Sequence, residues 1–133
     1  MKNFTLILLL ACWCSFAYAI QQDETEDSQI INERIQQLLN DAEVSVNMLD
    51  FDNAIEQLNS SLELSKSIND KRAIALSSSI LAKLYYLRHD FDKAITELQR
   101  AISIQRDIED QNGLAYSYVN FAKILMGQKD KER

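Results

Sequence analysis

Proline is absent from the 133 residues, glycine occurs only as Gly113 and Gly127, and cysteine only as Cys12 and Cys14. A chain without proline and rich in Leu, Ile, Ala, Glu, Gln and Lys favours helix throughout, and the apolar spacing agrees, with no competing strand signal. Both cysteines and the single tryptophan, Trp13, fall in the first fourteen residues. If that segment is removed, the mature chain has no thiol, which excludes disulfides, thiolate metal sites and cysteine nucleophiles. Histidine is equally scarce: His89 stands alone beside Asp90. Glycine-rich phosphate loops and zinc-ligand spacings are missing too, so nothing assembles the partnered base and nucleophile that catalysis needs. The expectation is a protein that is not an enzyme and takes no metal or cofactor.

Positive charge is also in short supply, with a formal net charge of −6. Nucleic acid and anionic membrane surfaces require clustered Lys and Arg, so neither is an expected partner.

What the chain does have begins at its N-terminus. Lys2 precedes an apolar stretch from Phe4 to Phe16, and Ala17-Tyr18-Ala19 gives the small-x-small pattern of a signal peptidase site, with cleavage before Ile20. Residues 1–19 therefore read as a secretory signal peptide, too short in its apolar part for the roughly 20 residues that span a bilayer. Leu9-Leu10-Ala11-Cys12 offers an alternative, acylation and a lipid anchor at Cys12. Export makes the mature chain secreted or periplasmic. Residues 20–27, mostly Gln, Asp and Glu, read as a disordered acidic leader.

Further on, the chain repeats itself. Asp50-Phe51-Asp52-Asn53-Ala54-Ile55 with Leu58 returns 40 residues later as Asp90-Phe91-Asp92-Lys93-Ala94-Ile95 with Leu98. A period in this range means stacked supersecondary units, none of which can bury its apolar face alone. Five helices follow from the spacing. The first is capped by Ser28 and carries Ile35, Leu38, Leu39, Ala42 and Val46; the second starts near Asp52; the third is capped by Asp70 and carries Ile74, Leu81, Ala82 and Tyr85. The fourth presents Ala94, Ile95, Leu98, Ala101 and Ile102, and Asp110 caps a fifth that carries Leu114, Tyr118, Phe121, Ala122 and Leu125 and ends near Gly127. The repeat region is thus expected over 28–127, with a charged tail over 128–133.

This pattern resembles the tetratricopeptide repeat family. The family places small residues where two antiparallel helices cross, matched here by Ala42, Ala82 and Ala122 on first helices and by Ala54 and Ala94 on second helices. Leu58 and Leu98 fill its large apolar slot, Ala101 its third small position, and Phe51 and Phe91 its aromatic at the turn. Leu38 and Ser78 replace its tryptophan, and Lys66 and Arg106 its closing proline. The resemblance implies an all-α fold of antiparallel helix pairs stacked as a short right-handed solenoid, about two and a half repeats long.

It also implies a ligand face on the first helices. By position that face takes Gln36, Leu39, Glu43, Val46 and Asn47, then Ser79, Lys83, Tyr86 and Leu87, then Tyr116, Val119, Asn120, Lys123 and Met126. Lys83 and Lys123 should lie one repeat apart and, with Asn120, could hold a carboxylate. The implied function is a non-catalytic scaffold for a protein or peptide. Two alternatives stand beside it: a truncated extracytoplasmic segment of a signalling receptor, and a self-assembling module. The latter follows from the odd helix count, because a terminal helix should be polar outside, while the fifth shows Leu114, Tyr116, Tyr118, Val119, Phe121, Ile124, Leu125 and Met126. Exposed apolar surface of this kind marks self-association or a partner.

Overall fold

Four turns built alike on an aspartate set the architecture. The computed structural model describes residues 27–131. The signal peptide with Ala17 and Ala19, the alternative anchor at Cys12 and leader residues 20–26 lie outside the described residues. The chain divides into two units, 1–33 and 34–133. Of the first, residues 27–33 are described and helical. Asp27 is already in helix, so Ser28 lies within it instead of capping it.

In the second unit α1 covers 34–47, α2 Phe51–Ser67, α3 Lys71–Leu87, α4 Phe91–Asp107 and α5 Gln111–Lys131. The fold is all-α, consecutive helices pack on one another, and no strand occurs among the described residues. No described helix is long and apolar enough to cross a membrane.

Each of α1 to α4 ends in the same way. The amide of Asp50 donates to the carbonyl of Ser45 at 2.9 Å and that of Leu49 to Val46 at 3.0 Å. The same two bonds recur at Asp70 and Asn69, at Asp90 and His89, and at Asp110 and Glu109. Closing a helix so requires a left-handed residue, and Leu49, Asn69, His89 and Glu109 take it, with φ of 62°, 55°, 60° and 57°. The aspartate that follows caps the next helix. Its Oδ1 accepts from the amide of Asn53 at 3.2 Å, Ala73 at 3.0 Å, Lys93 at 3.4 Å and Gly113 at 3.0 Å. One residue thus stops a helix and starts its successor, so α2, α3 and α4, each of 17 residues, recur every 20 positions. The second helix accordingly starts at Phe51, just after its cap.

The crossings are made by small residues, as expected: Ala42, Ala54, Ala82, Ala94 and Ala101 are wholly buried, as are Leu58 and Leu98. Each of those leucines contributes about 1.5–3 kcal/mol by leaving water. Phe91 is buried while Phe51 is half-buried. Ala122 departs from its counterparts. It is exposed, because no described helix lies across it as α4 lies across Ala82.

Gly127 was expected to end α5, but the helix continues to Lys131. The glycine acts by its lack of a side chain: a Cβ there would stand 2.8 Å from Cε2 of Tyr86 and 3.2 Å from Cε1 of Phe91. Its absence lets α5 close onto these rings, which meet edge to face at 6.0 Å.

Polar layers cross the interior between the apolar ones. Ser61 and Ser77 hydroxyls bond at 3.1 Å between α2 and α3. Ser117 donates to Oε1 of Gln105 at 2.8 Å between α5 and α4, and Ser79 shares that layer, 3.4 Å from both Ser117 and Gln105 Nε2. Near the first turn, Ser45 donates to Gln57 at 3.0 Å and accepts from Asn53 at 3.2 Å.

Candidate functional site

Helices α1, α3 and α5 each contribute one side to a shared face, because successive first helices of a stacked pair array lie next to each other. Residues three, four and seven apart on a helix share a side, which brings Gln36, Leu39, Glu43, Val46 and Asn47 of α1 into a groove of about 370 Å³. Leu76, Ile80, Lys83 and Leu84 of α3 and Tyr116 of α5 complete its lining. A second hollow of about 210 Å³ lies between α3 and α5, lined by Lys83, Tyr86, Leu87, Asn120, Lys123 and Ile124. Lys83 belongs to both. The expected face residues Glu43, Asn47, Lys83 and Tyr116 are therefore brought together in one hollow, and Lys83, Tyr86, Asn120 and Lys123 in the other.

Ser79 is not among them. It is 1 % exposed and spends its hydroxyl on the Ser117 and Gln105 layer. Ser79 lies one turn before Lys83 on the same side of α3, at the level where α3 and α5 press together, so the neighbouring helix covers it while Lys83 stays exposed. Val119 and Met126, 54 % and 68 % exposed, line neither hollow.

The charge along the face is uneven. Glu43 stands at the α1 side, Lys83 in the middle and Lys123 at the α5 side. Among the described residues neither lysine has a salt-bridge partner, whereas Lys66, Arg88, Lys93 and Arg100 each hold a carboxylate. Asn120 lies between them, 9 % exposed, and its amide nitrogen is buried without a hydrogen-bond partner. A buried polar group left unpaired costs on the order of 1–3 kcal/mol, so this amide is a donor in need of an acceptor. Two lysines without salt bridges and flanking apolar side chains can receive an acidic group from a bound segment. No group of three or more His, Cys, Asp or Glu that could hold a metal occurs among the described residues.

Sequence reasoning missed five residues: Asn40, Leu76, Ile80 and Leu84, which line the groove, and Gln105 in the polar interior. Leu76 and Ile80 line the groove from α3, and their three- and four-residue steps to Lys83 were the available signal. Gln105, buried at 4 %, has the register of Ser65 one repeat earlier, so the alignment itself marked it as a polar interior position.

A stack of antiparallel helix hairpins with a ligand-sized face on its first helices defines a helical-repeat scaffold. The sequence pattern of the tetratricopeptide repeat family matches residues 35–107, more than half of the chain, and the chain belongs to that family. The match spans α1 to α4. No curated protein matches the chain closely enough to count as a relative. Repeats of this family are in general non-catalytic scaffolds that mediate contacts between proteins.

Proposed function

We propose that this chain is a non-catalytic scaffold that holds a segment of a partner protein along the α1, α3 and α5 face, with an acidic group seated among Lys83, Asn120 and Lys123. The observation that carries this reading is the hollow between α3 and α5, lined by Lys83, Asn120 and Lys123 together, with neither lysine in a salt bridge among the described residues. A carboxylate there would pair with both cations, and such charge-assisted bonds are roughly twice as strong as neutral ones. Leu39, Val46, Leu76 and Ile80 supply the apolar area for neighbouring side chains. Selection from a displayed library of random dodecapeptides tests this. The chain should enrich peptides with a Glu, Asp or free C-terminal carboxylate, and Lys83→Ala with Lys123→Ala should abolish that enrichment while leaving the melting temperature unchanged. Enrichment indifferent to the double variant would refute the site.

The scaffold is further proposed to work outside the cytoplasm, supported by Lys2, the Phe4 to Phe16 stretch and Ala17-Tyr18-Ala19. The mass of the mature chain expressed with its own N-terminus checks this. A start at Ile20 fits export with cleavage, a lipid-bearing start at Cys12 fits an anchored form, and retention of Met1 in the cytoplasm contradicts both.

A further inference from the structure

Helix α5 has two sides that differ in what covers them. Towards α4, Ser117 is buried where it bonds Gln105, and Ile124 is buried in the cluster that holds Phe91, Ala94 and Leu98, as Ser77 is buried on α3 where it bonds Ser61 of α2. One step around the helix, Tyr118 is 50 % exposed with its hydroxyl accepting from Arg106 of α4 at 3.3 Å, Leu125 is 45 % exposed and Ala122 exposed, and Phe121 is half-buried against the cluster of Ala82, Phe91, Ala94 and Leu98. In the same register on α3, Ser78, Leu81 and Ala82 are buried, with Tyr85 half-buried, and there Ala82, Tyr85 and α4 residues Ala94 and Leu98 form one cluster. The open side of α5 thus continues, in register, an interface that α3 already makes.

We infer that this side of α5 is a docking site for one amphipathic helix of another polypeptide, running antiparallel to α5 and carrying the α4 pattern of a small residue, a leucine four positions on and a small residue three beyond. Continuity with the α3 and α4 contact argues for a helix of this kind. Ala122 at the centre permits the close approach that Ala82 permits, and close approach demands a small residue opposite. Charge argues for its sign: α5 carries Lys123 and Lys129 against Asp130 in an otherwise acidic chain, so a helix with acidic flanks is favoured. A second copy offers no such complement, because its own α5 is equally basic. Its far edge is unsuitable as well. At the α1 positions in register with Ser77, Ile80 and Leu84 stand Gln37, Asn40 and Val44, all exposed and two of them polar.

The test uses the full chain and an acetylated, amidated, fluorescein-labelled peptide with the sequence of residues 90–108, read by fluorescence polarisation. Saturable binding is expected, weakened at least tenfold by Tyr118→Asp and by Ala122→Asp, and altered less than twofold by Lys83→Ala. The last result separates this site from the face on α1, α3 and α5, since either can fail alone. Absence of saturable binding to a chain that is helical by circular dichroism overturns the inference. So does a dimer in light scattering that Tyr118→Asp converts to monomer, because the face would then be covered by a second copy.

Discussion

Helices α3 and α5 occupy equivalent places in the repeat, yet α3 is buried on two sides and α5 on one. Their shared side is alike in construction: Ser77 bonds Ser61 of the preceding helix, and Ser117 bonds Gln105. Their other sides diverge because α3 is followed by a turn and α4, whereas α5 stays helical through the positions equivalent to His89 and Asp90, which are Lys129 and Asp130. A residue's burial in a repeat is therefore a property of its neighbours in the stack as much as of its register.

The sharpest way to break this comparison is a matched pair of substitutions. Ala82→Leu overpacks a wholly buried crossing and should cost about 1–3 kcal/mol, while Ala122→Leu should stay within about 0.5 kcal/mol, as exposed substitutions do. Chemical denaturation of both variants measures the difference, and equal costs would mean that the two alanines share one environment.

The shared side should respond equally in both helices. Ser77→Ala orphans the Ser61 hydroxyl and Ser117→Ala orphans Oε1 of Gln105, whose amide nitrogen keeps Ser79, each at about 1–2 kcal/mol for a buried group left unpaired. Ser78, buried with no hydrogen-bond partner for its hydroxyl, supplies the control: Ser78→Ala should be neutral or stabilising.

Smaller effects separate the two helix ends. His89 holds a left-handed φ of 60°, so His89→Gly should raise stability by about 0.5 kcal/mol once the strain relieved is set against the freedom glycine gains on unfolding. Lys129 is helical, and glycine there should lower the melting temperature slightly.

The smallest expected effect is electrostatic. The side-chain hydrogen bond from Lys93 holds the Asp90 carboxyl below its ordinary range, and the same bond raises Lys93 above its own. The Asp90 contribution is present above the usual carboxylate pKa and lost as pH falls through the lowered value. The Lys93 contribution is present below the usual lysine pKa and lost as pH rises through the raised one. Both groups are exposed and screened. Lys93→Met should therefore lower the melting temperature slightly at neutral pH, and the gap to the parent chain should close in strong acid. Asp130→Ala, at a position where no turn forms, should show neither change.

Most of the candidate face was legible because it follows from helical rotation. Once Ala82 marks the crossing, Lys83, the next residue round the helix, must point elsewhere, and Glu43 beside Ala42 obeys the same rule on α1. Ser79 was illegible because its side faces another first helix, and no pattern within α3 states how near α5 approaches. Asn120 was legible as a position, but its unpaired amide was not, since hydrogen-bond satisfaction depends on every group within reach.

The sequence by itself determined the helices, the common length of α2, α3 and α4 and the 20-residue beat of the turns, because capping aspartates, apolar periodicity and the absence of proline act over a few residues. It also determined membership in the repeat family, through alanines and leucines at set spacings. Only the tertiary structure decided that Ser79 is interior, that Gly127 is a point of close approach within α5 instead of its end, and that Ala122 is exposed. Those outcomes depend on which helices lie alongside, and packing between helices is settled by contacts far apart in the chain.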